Sequence, residues 1–478
     1  MVNLYIFVNI SCISNLDICR LLILFSLLLL FEKIVYNFLV KKILLTSLLI
    51  FVLSLSMSSQ ADDSAIKIFF VDPVNKQRIT SGAESKSIQE LKNLIEKSTQ
   101  SIDFAIYGIS NQEILDALKS AKQRGVKVRG VVDFNNNKEN PYSLTYKLIE
   151  EFPDTKTDYK KVEDFKIKSS DYVQQVKYYF NKKVVNASFV NKGIKDYNDK
   201  IMHNKYFIVD NKYVWTGSMN VSNSCSTYNA NSSVLINSPE LAKIYKEDFE
   251  LMYLNSKFHK DKDYRPTPQT IKLSDSKVTA FLLPEDNSAY EQISEYINKA
   301  EKYIYVPMFF FTHTKYPQDL INAHNRGVEV RVIIDATSVR TGYSKHQIMR
   351  IAGIPVKVEN WGGKMHMKSL IIDDKYLLIG SMNFTAGAHY QNDENCLLIE
   401  DSEVAIQARK NFEHMWDSIP NKWLKSEPKP EGRDSKYSCS DGIDNDHDDL
   451  IDEFDPDCKA VKLFKKEFTY SQIAPFVP

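Results

Sequence analysis

A chain of 478 residues that is 43% apolar and 26% charged has globular composition, long enough for two or three domains or one large pseudo-symmetric core, and is not a disordered chain. Its formal net charge is zero, which argues against a general nucleic-acid binder carrying a basic excess, although a local basic groove would not register in the total.

The first sixty residues stand apart from the rest. Leu21 to Leu30 is almost wholly apolar; Lys41 and Lys42 then precede the apolar run Ile43 to Leu55, and Ser58-Ser59-Gln60-Ala61 follow. A basic start, a short apolar core and a small-residue exit predict an export region over 1–61, with a signal peptide over about 41–61 cut after Ala61 and a true start downstream of Met1. The protein is then secreted or periplasmic. The alternative is a retained membrane anchor using Leu21 to Val40.

Beyond this region the chain repeats itself. Ser87 and Glu90 read as a capping box for a helix with Ile88, Leu91 and Ile95 on one face, and a strand follows over Ser101 to Ile109. Ser110 and Glu113 read as a second capping box, for a helix with Ile114, Leu115, Leu118 and Ala121 that stops at Gly125; Val126 to Asp133 is then a buried strand. The second half runs the same course: Ser288 and Glu291 before a helix with Ile293 and Ile297, a strand from Tyr303 to Phe311, a helix ending at Gly327, and a strand from Val328 to Asp335. Alternating helices and apolar strands predict an α/β fold, with two halves packed as one pseudo-twofold body. The halves span about 62–265 and 266–424. Asp133 to His203 covers 70 positions but Asp335 to His366 only 31, so the first half carries an insertion over about 140–199, either a substrate-facing element or a solvated excursion.

Each half then delivers one signature: His203-x-Lys205, Asp210 and Gly217-Ser218-x-Asn220, answered by His366-x-Lys368, Asp373 and Gly380-Ser381-x-Asn383. Period-two segments place each histidine and its lysine on one face of a strand. An imidazole serves as nucleophile or proton carrier near neutral pH, and lysine, serine and asparagine supply donors for phosphate oxygens. Two such sets around one centre suit a pentacovalent phosphorus with charge spread over its equatorial oxygens.

The doubled pattern His-x-Lys-x₄-Asp-x₆-Gly-Ser-x-Asn resembles the phospholipase D superfamily in its two-motif form, over about Ile66 to Trp416. The resemblance implies two α-β-α sandwich halves, a covalent phosphohistidine and no catalytic metal. It marks His203 as nucleophile and His366 as general acid/base. It implies that Lys205, Lys368, Asn220 and Asn383 hold phosphate, that Ser218 and Ser381 support the pocket, and that the motif aspartates Asp210 and Asp373 organise the catalytic set rather than donate protons. Glu394 stands where the family places an acid that orients a histidine, but the aligned position in the first half is Asn231, so the two histidines are expected to titrate apart.

After Trp423 the composition shifts to a linker and an acidic tail over 425–478. Asp444, Asp446, Asp448, Asp452 and Asp455 follow the spacing of a calcium loop, with Asp449 in place of its glycine and Asp455 in place of its glutamate. A structural Ca²⁺ is expected there, remote from catalysis; the alternative is a solvated acidic stretch. Cys439 and Cys458 bracket this loop and are expected to pair, while Cys225 and Cys396 read as small buried residues.

The leading expectation is hydrolysis of a phospholipid phosphodiester at a membrane surface by a monomer, with transfer to an alcohol as a variant. The aromatic run Met308 to Phe311 could meet acyl chains or be buried strand. The alternatives are a secreted nuclease using the same histidines, served by Lys156, Lys160 and Lys161, and a non-catalytic calcium-dependent surface protein.

Overall fold

Two sheets of the same strand order account for most of the architecture. The computed structural model describes residues 65–74, 85–134, 142–158, 200–263, 268–286, 288–442, 444–446, 448 and 450–459, with the backbone of 172–180 and 183–191. The export and anchor segments, the cut after Ala61, and Lys160 and Lys161 lie outside the described residues. No helix among the described residues is long and apolar enough to cross a membrane.

The first half contributes β1 (Ile66–Val71), β2 (Ser101–Ile106), β3 (Lys127–Val132), β4 (Lys156–Thr157), the hairpin β5 (Tyr172–Phe180) and β6 (Lys183–Asn191), then β7 (Lys205–Val209), β8 (Tyr213–Gly217) and β9 (Asn231–Asn237). The second contributes β10 (Gln269–Leu273), β11 (Ser276–Leu283), β12 (Tyr303–Met308), β13 (Glu329–Ile334), β14 (Val356–Val358), β15 (Ser369–Ile372), β16 (Tyr376–Gly380) and β17 (Glu394–Glu400). The sheet orders are β1-β9-β8-β7-β2-β3-β4 and β10-β11-β17-β16-β15-β12-β13-β14, so the halves match strand for strand once β10 is set aside. In both, three parallel strands join an antiparallel block at the edge of the motif hairpin.

Period-two alternation sorts the core into layers. Ile102, Phe104 and Ile106 of β2 pack under the helices Lys86–Glu96 and Gln112–Gln123, while Ala105 faces the centre. Ile304, Val306 and Met308 of β12 do the same in the second half, with Tyr303 and Tyr305 facing the centre. The central cluster draws on both sheets and on the helices Pro239–Tyr253 and Ser402–Ser418. Each half is thus an α-β-α sandwich, and the two share one apolar seam.

Several local expectations are corrected. The first helix begins after Ser85, which stands at the N-cap position without a side-chain capping bond, and Ser87 lies inside it with its hydroxyl on that of Ser233. The second is capped by Asn111, whose side chain accepts from Ile114 N, so Ser110 is not the cap. Ser288 makes no capping bond and donates to Asp286 instead, at 2.9 Å. The strands β2 and β12 end at Ile106 and Met308, three residues early, because the chain there leaves the sheet to approach the motif segments. The insertion also begins later than its composition suggests. The helix Thr145–Glu151 and β4 match the helix His346–Ile351 and β14, so 145–157 belongs to the shared frame and the extra length follows Asp158.

Candidate active site

Both His-x-Lys motifs stand at the entrance to a strand rather than within one. β7 begins at Lys205 and β15 just after Lys368, so His203 and His366 occupy the short segments that lead in. What holds these segments is the opposite half. His203 N donates to Asp393 O at 2.8 Å and Asp393 N to Ile201 O at 3.0 Å; His366 N donates to Ala230 O at 2.9 Å and Ala230 N to Lys364 O at 2.8 Å. Each histidine is therefore stitched to the residue just before the other half's β17 or β9 pair, and the two motifs meet at the seam.

The side chains cross in the same way. Glu394 reaches over to His203, with its oxygens 2.9 and 2.8 Å from Nδ1. Asn231 reaches over to His366, with Oδ1 2.9 Å from Nδ1. Ser381 Oγ donates to Glu394 at 2.6 Å and Ser218 Oγ to Asn231 Oδ1 at 3.0 Å. Asn231 Nδ2 donates to the carbonyls of Cys225 and Asn229, which turns its oxygen toward the imidazole. The two serines thus fasten the groups that orient the histidines. With Nδ1 engaged on each ring, Nε2 is left for chemistry.

The lysines are buried beside them. Lys205 Nζ donates to His203 O at 2.7 Å and Lys368 Nζ to His366 O at 2.6 Å. Tyr107 and Phe309 occupy matching places: each ring lies about one ring width from a histidine, 5.2 and 5.0 Å between centroids, and beneath a lysine at 5.6 and 4.8 Å. Phe309 and Phe310 are half-buried, whereas Phe311 is fully buried against Phe384, so the aromatic run divides between site and core. Asn220 Nδ2 donates to Tyr142 Oη at 2.8 Å, and Asn383 Oδ1 accepts from Phe310 N at 3.2 Å. The glycines of the two motifs are required by close approach. A Cβ on Gly217 or Gly380 would lie 2.3 Å from the carbonyl oxygen of Ser232 or Asn395 on the neighbouring strand.

The motif aspartates lie elsewhere. Asp210 and Asp373 follow the far ends of β7 and β15 in left-handed backbone at φ 54° and 58°. Asp210 accepts the N–H groups of Thr99, Gln100 and Ser101; Asp373 accepts those of Glu301, Lys302 and Tyr303. Each carboxylate ties the turn that launches β2 or β12. Burial pushes the Asp210 carboxyl up, but its backbone donors outweigh this and hold it below the usual range.

The electrostatics call for an anion. Burial pulls the His203 imidazole down to about 4; Glu394 opposes this, and Lys205 and Lys368 add to it. Burial, then Lys368, Lys205 and His203, push His366 down further, with no carboxylate among the causes. Lys205 falls to about 8 and Lys368 also falls, again chiefly by burial. Two buried lysines and two imidazoles thus gather where burial outweighs the pull of Glu394, Asp133 and Asp335, and a negatively charged ligand would restore the ordinary charge of each.

One network has no signal in the sequence. Asp393, whose carbonyl holds His203, pairs through its carboxylate with Lys262 and His259 at 3.0 Å each, and His259 also pairs with Asp158 at 3.2 Å. Asp158 and Asp133 both accept Met202 N, one residue before the histidine. Burial lowers the His259 imidazole, but the two aspartates outweigh it and raise it to about 9.

In the tail, Cys439 and Cys458 are joined as a disulfide, and Cys225 and Cys396 are free and buried. Asp444, Asp446 and Asp448 lie together, as do Glu431, Asp446 and Asp455, whereas Asp452 turns away and accepts the N–H groups of Asp441 and Gly442. Asp452 is therefore in neither acidic group, and Glu431, outside the expected loop, is in one.

A family model described as cardiolipin synthase, PLD-like domain, matches residues 91–253 and 293–416, taking in both motifs. The chain belongs to the phospholipase D superfamily. Among curated members, a phospholipase D from Rickettsia conorii is 37% identical over 142 residues, 30% of this chain and 70% of that protein. A mitochondrial cardiolipin hydrolase from Homo sapiens is 32% identical over 148 residues, 31% of this chain and 59% of its own length. The solved phosphatidylserine synthase of Haemophilus influenzae Rd KW20 shares the fold, with a TM-score of 0.50 and 14% identity over 75% of this chain and 89% of that one. This phospholipase D superfamily member is accordingly an enzyme of the phosphodiesterase type.

Proposed function

We propose that the enzyme cleaves the phosphodiester of a phospholipid at a membrane surface, through a phosphohistidine on His203. The observation that carries this reading is the crossed pairing, in which the buried carboxylate of Glu394 meets His203 and not His366. Attack by His203 Nε2 forms an N–P bond and leaves a cationic phosphoimidazole, which the Glu394 carboxylate neutralises through Nδ1–H. Binding of the anionic phosphodiester draws a proton onto His366, whose Nδ1–H stays on Asn231, and the P–O bond to the leaving alcohol breaks as the Nε2–H of that imidazolium delivers its proton to the leaving oxygen. His366 then takes a proton from water; the new P–O bond forms, and His203 leaves. An alcohol in place of that water would give phosphatidyl transfer. In this reading Lys205 and Lys368, with Asn220 and Asn383, hold the non-bridging oxygens. This route needs no catalytic metal.

The substrate class rests on the relatives named for phospholipid cleavage and on Phe309 and Phe310 beside His366, which offer apolar surface next to the phosphate position. We further infer export to an oxidising compartment, which the Cys439–Cys458 disulfide supports. The test is an assay of the purified chain, with and without EDTA, against phosphatidylcholine, cardiolipin and single-stranded DNA. Cleavage of a phospholipid that survives EDTA is expected, with the phosphatidyl group trapped on His203 by a denaturing alkaline quench. Activity on DNA alone would replace the lipid reading with the nuclease one, and loss of all activity in EDTA would end the metal-free route.

A further inference from the structure

The acidic tail contains a cluster of three carboxylates with a single cationic partner, Arg340, among the described ion pairs. Glu431 and Asp455 are 0% and 1% exposed, and each has a carboxylate oxygen within 4.8 Å of one from Asp446 and of the other's. Neither Glu431 nor Asp455 has a lysine, arginine or histidine partner among the described ion pairs; Asp446 has only Arg340, at 3.3 Å. Asp455 Oδ1 accepts from Asp457 N, but its Oδ2 is buried with no hydrogen-bond partner, and so is Asp446 Oδ1. Burying adjacent carboxylates with unused oxygens costs several kcal/mol unless a cation compensates.

We propose that this cluster is a calcium site, held by Glu431, Asp446 and Asp455 and extended through Asp446 to Asp444 and Asp448. The donors are all oxygens, which selects a hard cation over zinc or copper. Donors from a bent loop and a distant residue suit the large, adjustable shell of Ca²⁺ better than the strict octahedron of Mg²⁺. Glu431 gives the site its reach. It lies before the disulfide at Cys439, whereas the aspartates lie inside it, so one ion ties the two segments of the tail together. The same tail is anchored to the second half by Thr337 on Asn445 O and by Lys436 N on Asn360 O at 2.7 Å, six residues before His366. The proposal is independent of the catalytic reading.

The experiment uses the full chain with its disulfide intact, stripped with EGTA and titrated with CaCl₂ in a calorimeter, with melting followed in parallel. One saturable site is expected, and Asp455→Asn should weaken it at least about tenfold. The two proteins should also change order in melting temperature. Without calcium Asp455→Asn should melt no lower than the wild type, because it removes an uncompensated buried charge; with calcium the wild type should melt higher. A purely structural aspartate would leave the variant less stable in both conditions. That result, no binding heat from the wild type up to about 5 mM calcium, equal affinity in the variant, or a preference for Mg²⁺ would each overturn the assignment.

Discussion

In the half that supplies His203 the imidazole meets a carboxylate from across the seam; in the half that supplies His366 it meets an amide. The scaffolds around them match closely, down to the serine behind each orienting group, the aromatic ring beside each histidine and the aspartate at the far end of each hairpin. A pseudo-symmetric frame thus carries an asymmetric charge, and the difference lies at one aligned pair, Glu394 and Asn231. Duplication supplies two histidines aimed at one centre; one carboxylate then separates a nucleophile, whose product is cationic, from a proton carrier whose charge must come from the substrate.

The sharpest way to break this comparison is to remove each histidine in turn. His203→Ala should lose at least about 10⁴-fold in kcat and all trapped phosphoenzyme. His366→Ala should still accumulate phosphoenzyme from a substrate whose leaving group needs no proton. Trapping in His203→Ala and not in His366→Ala would reverse the roles.

Exchanging the orienting groups tests the asymmetry itself. Glu394→Gln should lower kcat by about 10²- to 10³-fold with little change in KM, because a neutral amide no longer compensates the phosphoimidazolium. Asn231→Asp should raise the His366 imidazole and move the alkaline limb of the kcat profile to higher pH. An unchanged profile would show that His366 does not carry that proton.

Charge accounts for two pH effects. Since burial and the lysines keep both imidazoles neutral, tungstate or inorganic phosphate should bind with uptake of protons, and more tightly as pH falls from 8 to 6, as followed by calorimetry in two buffers. In the ligand-free enzyme His203 is neutral down to about 4 but protonates near 6.5 when unfolded, so its contribution to stability is lost as pH falls from about 6.5 to 4. His259 has the opposite sign: raised to about 9 by Asp158 and Asp393, its contribution is present below about 6.5 and lost as pH rises through 9. His259→Asn should therefore flatten the alkaline side of the melting-temperature curve and leave the acid side in place.

The smallest effect on chemistry is expected at the aspartates that complete the motifs. Asp210→Asn or Asp373→Asn should cost about 1–3 kcal/mol of stability, by weakening bonds to three backbone donors, while kcat per folded molecule stays within a few-fold. A collapse of kcat at unchanged stability would place them in the reaction.

Much of the frame was legible because it is written in local periods. The apolar alternation of Ile102, Phe104 and Ile106, and the helical stripe of Ile88, Leu91 and Ile95, locate strand and helix without knowledge of partners. Cap identities were less legible, since Ser85 and Ser87, or Ser110 and Asn111, compete within two residues and tertiary contact chooses between them. The insertion was misjudged for a similar reason: Lys156 and Thr157 pair with Val131 and Val132, a parallel partnership that composition does not announce.

By itself the sequence determined that the frame and the motif occur twice, because repeats, alternation and a glycine under a crowded neighbouring strand all leave short-range marks. Which histidine receives the carboxylate was decided only by folding, since His203 and Glu394 are 191 positions apart and His366 and Asn231 are 135 apart. The placing of Tyr142 on Asn220, of Asp393 behind His203 and of Glu431 beside Asp455 was decided in the same way. Such pairings depend on how two sheets close upon each other, and a buried charge finds its partner at that closure rather than along the chain.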